Sequence, residues 1–177
     1  NINKYYRITD TDTMKSFLSK KHHGKVYNEN DISENCITTR TDKGIKAHIY
    51  QFARRRTPLI YFLRNFIWKH SKWKNENLLN WIKEFNPDVI FFASGDYSFS
   101  YEITKYISDY FNIPIITAFY DDYYLSPKRT ISPLYKYNKS RLLKSAFYVM
   151  ERSFCGIALC EKMAVDYTKY FQKNVFP

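Results

Sequence analysis

The sequence predicts an α/β fold, a Rossmann-like parallel sheet flanked by helices. Three observations predict it. Apolar runs at 89–93, 115–119 and 154–160 have the length of buried strands. Stretches with helical periodicity separate them. Each run also stops at a polar or glycine-bearing turn, which gives the β-α-β alternation of a parallel sheet with right-handed crossovers.

The elements follow in order. Residues 1–56 form an irregular, basic N-terminal part in which "YYRI" and "KAHIYQF" read as short strands and "HHGKVYNENDISEN" as loop. The run "RITDTDTMK" reads as a cap on a helix over Met14, Phe17 and Leu18. A second part, 57–177, begins where Thr57-Pro58 supplies an N-cap and a first-turn proline. That helix runs to about Lys72 with Ile60, Leu63, Phe66 and Ile67 on one face. The next, from near Asn77, carries Leu78, Trp81, Ile82 and Phe85 and ends before Pro87.

"PDVIFFASGD" is then a strand ending at Ser94-Gly95-Asp96. A helix from about Ser98 to Phe111 follows, with Phe99, Ile103, Tyr106, Ile107 and Tyr110 inward and Asn112 closing it. "IPIITAFYDD" is the second strand of the sheet. Ser132-Pro133 opens a helix to about Arg152, and "FCGIALC" is a third buried strand. Glu161 to Gln172 is a helix with Met163, Ala164, Tyr167 and Phe171 inward, and Val175 begins a fourth strand. In such sheets ligands bind beyond the carboxyl ends of the strands, where strand order reverses. Asp96 and the pair Asp121-Asp122 fall at those ends.

Charge narrows the partners. Net charge is +11, and residues 1–86 hold 17 Lys/Arg against 8 Asp/Glu, a net of +9. The segment with Arg54, Arg55, Arg56, Arg64, Lys69, Lys72 and Lys74 interleaves Trp68 and Trp73. That mixture suits an anionic membrane face, single-stranded nucleic acid, or a solvated helix with its tryptophans turned inward. The cluster Lys136, Lys139, Arg141 and Lys144 is a weaker case of the same kind.

Cys36, Cys155 and Cys160 lack the spacing of a disulfide framework, which favours a reducing compartment. With His22, His23 and His48 they show no zinc-ligand spacing, so no metal is expected. Asp10 and Asp12 fit a phosphatase DxDx[TV] motif only up to Met14, which stands where Thr or Val is required. There is no GxGxxG and no GxxxxGK[ST], so phosphate binding by a glycine loop has no support. No (D/E)xK triplet follows Pro87-Asp88 at a nuclease spacing. No apolar run reaches the ~18 residues of a membrane span. The opening "NINKYYRITD" is polar and "NVFP" reads as the start of a strand, so both ends look cut.

Two rim motifs have two readings each. Gly95 is either a glycine required by a turn of positive φ or a place where a ligand meets backbone at a helix start. Asp121-Asp122 is either a strand-end turn or a ligand-facing pair. Adjacent side chains on an extended strand point opposite ways, so at most one enters a given pocket. The assignment favoured is Asp121 structural and Asp122 outward.

The run "NWIKEFNPDVIFFASGDYSFSYEITKYISDYFNIPIITAFYDDYY" resembles the N-terminal domain of GT-B glycosyltransferases, especially the retaining family 4-like group. "IALCEKMAVDYTKYFQKN" is similar to that group's strand, Cys-Glu, Met and a helix ending in Tyr and Phe. The likeness covers roughly residues 78–177. It implies an acceptor-binding domain facing a second Rossmann domain, which carries the E-x7-E signature and holds the nucleotide-sugar donor. That second domain and the glycine-rich loop after the family's first strand are not found here.

Gly95, Asp96 and Tyr97 would line one loop of the cleft, Asp121, Asp122 and Tyr123 the next, and Glu161 would start the helix after the third strand. A retaining enzyme uses no dedicated base there; an inverting one would use Asp121 or Asp122. The resemblance implies a saccharide or lipid-linked acceptor, no nucleic acid, and a cytoplasmic place on or near the inner membrane face. A flavodoxin-like scaffold and a nucleic-acid-binding protein acting through 54–74 are the alternatives.

Overall fold

The computed structural model describes residues 4–22, 24–28, 57–126 and 130–177. Arg54, Arg55, Arg56, the strand expected in "KAHIYQF", and Cys36 lie outside the described residues. The fold is α/β, and the chain divides into two compact units, 1–86 and 87–177.

In the first unit, β1 (Lys4–Arg7) pairs antiparallel with β2 (Lys25–Asn28), placing Tyr5 opposite Tyr27. Their rings stack at 5.4 Å. β2 lies inside the stretch expected as loop; the alternating Lys25, Val26, Tyr27, Asn28 and the neighbouring strand make it pair. α1 (Asp10–Ser19) opens with a capping box, Thr9 accepting from Asp12 N while the Asp12 carboxylate accepts from Thr9 N. Asp10 accepts from Trp68 Nε1 at 2.8 Å and pairs with Arg64 at 2.6 Å. Both aspartates of the phosphatase-like run therefore hold structure.

α2 (Pro58–His70) and α3 (Glu76–Phe85) also belong to this unit, not to the unit that holds the parallel sheet. Thr57 caps α2 from Ile60 N, and Asn75 caps α3 from Leu78 N while accepting from Tyr6 Oη. The buried apolar residues are Ile60, Trp68, Trp73, Leu78 and Ile82. The apolar face expected for α2 is corrected here. Leu63 and Phe66 of α2, and Met14, Phe17 and Leu18 of α1, are exposed, whereas Thr13, Ser16 and Asn65 are buried. The tryptophans bring the inward face of α2 round to Ile60, Asn65 and Trp68.

The second unit is a parallel sheet in the order β3 (Ile90–Ala93), β4 (Ile115–Phe119), β5 (Ser153–Ala158), β6 (Val175–Phe176). The crossovers are α4 (Ser98–Phe111), α5 (Pro133–Arg152) and α6 (Glu161–Phe171). The expected caps are present: Ser132 accepts from Tyr135 N with Pro133 in the first turn, and Asn112 ends α4 in the left-handed region at φ 54°.

Strand order is sequential, so successive right-handed crossovers put all three helices on one face. One core results: Phe92, Ile115, Phe119, Ala158 and Val175 of the sheet meet Tyr101 of α4, Val149 and Met150 of α5, and Tyr167 and Phe171 of α6. The register aligns Phe91, Ile116 and Cys155 on the other face, with Ala93, Ala118, Ile157 and Phe176 beyond them. Phe91 and Phe176 there are more than half exposed. The expectation of strands covered on both faces is thus corrected for this unit, whose own described helices cover one face. No reversal of strand order occurs among the described strands, so the unit has a carboxyl-end rim but no switch-point crevice.

Candidate functional site

The rim is built where β3 and β4 release the chain. After Ala93 the chain passes through Ser94, Gly95, Asp96 and Tyr97 into α4; after Phe119 it passes through Tyr120 into Asp121, Asp122 and Tyr123. These two loops leave neighbouring parallel strands, and Ser94 N still bonds Ala118 O at 2.9 Å. Glu161, at the start of α6, is exposed, and among the described contacts no hydrogen bond or ion pair joins it to either loop.

The aspartate pair resolves against the assignment favoured from sequence. Asp122 is the structural one. Its Oδ1 accepts from Leu125 N at 2.9 Å, Tyr124 N at 3.2 Å and Tyr167 Oη at 2.8 Å. Asp121 turns away, with Oδ2 accepting from Tyr123 Oη at 2.6 Å. The reason is local: an aspartate whose side chain bonds the amides two and three residues on closes a turn, which only the second Asp is placed to do before Tyr124 and Leu125. Burial acts to raise the Asp122 pKa, but the bonds from Leu125 N, Tyr167 Oη and Tyr124 N, with the Lys139 charge, hold it below the usual range.

Beneath the loops runs a chain of phenols. Tyr101 Oη donates to Gly95 O at 2.7 Å and is also hydrogen-bonded to Tyr124 Oη. Since the Tyr101 proton goes to Gly95, Tyr124 is the donor of that pair. Burial pushes the Tyr124 pKa up to about 12, and burial likewise raises Tyr101 and Tyr167. All three remain donors at neutral pH, so β3's exit, β4's exit and α6 are fastened together by uncharged hydroxyls. Lys139 Nζ adds a bond to Tyr123 O from α5. Sequence reading missed Tyr101 and Tyr124, and placed Lys139 only in a basic cluster. The signal for Tyr101 is its place, three positions from both Ser98 and Thr104, on the face of α4 that is in fact buried.

Gly95 does not take a positive φ, so the turn reading of this glycine is overturned. A Cβ built there meets no atom within 4 Å. Neither backbone conformation nor packing demands glycine, and open space lies in front of it. Tyr97 supplies no side-chain cap to α4, and Ser98 Oγ in the first turn is buried without a partner. α5 borders the second loop with a shallow groove of about 600 Å³, lined by Tyr135, Lys136, Lys139, Leu143 and Phe147 among others.

The basic segment does not form a tryptophan-studded outer face. Trp68 and Trp73 are buried, Arg64 is paired with Asp10, and Lys74 lies 5.3 Å from the Trp73 ring centroid. Lys69 and Lys72 are exposed. Among the described residues no three His, Cys, Asp or Glu side chains converge as a metal site, and no helix is long and apolar enough to cross a membrane. Comparison with family models, curated proteins and solved structures gives no match.

Proposed function

We propose that the second unit is the acceptor-binding domain of a glycosyltransferase, and that the rim of β3 and β4 holds a saccharide acceptor. The observation that carries the reading is the division of labour in the aspartate pair: Asp122 fixes the loop, which leaves Asp121 exposed beside Tyr123. A carboxylate offers several acceptor lone pairs to vicinal hydroxyls, and a tyrosine face packs on the CH surface of a sugar ring. The open space at Gly95 gives such a ring room to approach backbone. In this reading the nucleotide-sugar donor is held by a second Rossmann domain, and acceptors are saccharide or lipid-linked.

Saturation-transfer NMR of the chain with a panel of methyl hexosides and N-acetylhexosaminides tests it. At least one sugar gives transfer to its ring protons, and Asp121→Ala abolishes that signal while leaving the far-ultraviolet circular dichroism unchanged. Absence of transfer from every sugar, or transfer indifferent to Asp121→Ala, rejects the rim as the acceptor site. Turnover of a nucleotide-sugar by the intact gene product tests the transferase reading itself; none with any donor leaves a scaffold domain.

A further inference from the structure

α1 and α2 turn outward an apolar surface that the core of the first unit does not use. Met14, Phe17 and Leu18 of α1 are 49%, 36% and 75% exposed. Leu59, Leu63 and Phe66 of α2 are 51%, 43% and 40% exposed, and their spacing of four and three sets them on one helix face. Phe17 meets Phe66 edge-on, with ring centroids 6.0 Å apart, so the two stripes join. Single exposed apolar side chains are ordinary, whereas a contiguous run of them across two packed helices marks an interface. Phenylalanine and methionine at its centre, with no charge among them, match the make-up of interface cores.

The two ends of α1 differ in sign. Its first turn carries Asp10 and Asp12 and no base. Asp10 lies one turn before Met14; Arg64 and Trp68 hold its carboxylate in place yet leave its side chain 53% exposed. After Leu18 come Lys20, which closes the helix, and Lys21, both exposed. Along α1 the surface therefore reads acid, apolar, base. A partner of uniform charge is repelled at one end or the other. A second copy turned end for end is attracted at both, because a two-fold axis lays a surface on itself reversed. The same reversal sets the amino end of one α1 beside the carboxyl end of the other, which the helix dipoles favour.

We propose that the α1–α2 face is the interface of a two-fold homodimer in which the two α1 helices pack antiparallel. Met14, Phe17 and Leu18 of one protomer cover the same residues of its partner, and each Asp10 faces the opposite Lys20 and Lys21. Helices of 10 and 13 residues are about 15 and 20 Å long. A face of that extent is at the small end for specific interfaces, so the dimer is weak, with a dissociation constant of about 10 µM. The proposal concerns a different surface from the sugar-binding rim and stands apart from that reading.

Sedimentation velocity of the full chain from about 1 to 300 µM tests it, across the concentrations that bracket such a constant. The chain passes from monomer to dimer and no further. Leu18→Glu buries two unpaired charges at the contact and weakens the dimer tenfold or more. Lys20→Gln with Lys21→Gln weakens it about threefold, and raised salt acts on the parent in the same direction. If circular dichroism shows Leu18→Glu misfolded, Leu18→Gln at the same exposed position weakens the dimer in its place. A monomer at every concentration, or association without a discrete dimer, overturns the proposal. So does a dimer that the Leu18 variants leave intact; one that Phe91→Glu abolishes instead belongs to the exposed face of the sheet. A dimer broken by the Leu18 variants but indifferent to both salt and the lysine pair overturns the antiparallel arrangement.

Discussion

At the scale of residues, two adjacent carboxylates do different work, and substitution separates them. Asp122→Ala removes the acceptor of three hydrogen bonds and leaves two amides and the Tyr167 hydroxyl to find others. Because the carboxylate is partly in water, the expected loss is about 1–2 kcal/mol in urea unfolding. Asp121→Ala changes stability by less than about 0.5 kcal/mol, as for an ordinary surface site.

The pH dependence has a definite sign. Asp122 titrates lower in the folded chain than in the unfolded one, so its contribution is fully present above about pH 4–5. Below that the unfolded state binds the extra proton, and the contribution fades as pH falls through the folded pKa. Stability curves of Asp122→Asn against the parent, measured from pH 6 downward, should converge at acid pH; parallel curves would refute the assignment.

Two glycines, Gly156 inside a strand and Gly95 at a strand exit, give opposite expectations at the scale of elements. Gly156 lies in β5 facing the core, where an added Cβ would come 2.9 Å from Val175 Cγ2 and 3.0 Å from Phe119 Cε2. Gly156→Ala should cost about 1–3 kcal/mol by overpacking. Gly95→Ala meets empty space without a positive φ, and should leave thermal unfolding unchanged or slightly raised. If the rim holds a sugar, Gly95→Ala weakens that binding all the same, and the pair of measurements separates a folding role from a ligand role.

Element boundaries were largely legible because they are set by local chemistry: Thr57-Pro58, Ser132-Pro133 and Asn112 each cap or close a helix as their side chains dictate. Which stripe faces inward was less legible. In α4 the sequence offers two rows at helical spacing. The larger apolar row, with Phe99, Ile103 and Tyr110, loses to Ser98, Tyr101, Thr104 and Ser108. Small hydroxyl residues let the helix sit close to its neighbours, and Thr104 and Ser108 bond back to backbone oxygens of Ser100 and Ile113. Counting apolar side chains cannot see that, and it cannot see which of two adjacent aspartates closes a turn.

Across the whole molecule, charge and apolar exposure are unevenly shared. Residues 1–86 carry a net of +9 out of +11, so electrostatic association belongs to the first unit and the carboxylate-bearing rim to the second. Raised salt should accordingly leave sugar binding by the rim unaltered. The sheet's one-sided cover follows from topology alone: sequential parallel strands joined by right-handed crossovers leave the opposite face without helices of this unit, however apolar the strands are.

That half-dressed sheet has a chemical consequence. Cys155 lies on the face that this unit's own helices leave uncovered, in line with Phe91 and Ile116 and partly shielded, while Cys160 stands exposed just before α6. A maleimide followed by peptide mass mapping should alkylate Cys160 quickly and Cys155 more slowly. Anything laid across the strands would slow the second reaction and spare the first. The molecule carries its own footprinting pair: one thiol reporting on the sheet's surface, the other serving as the clock.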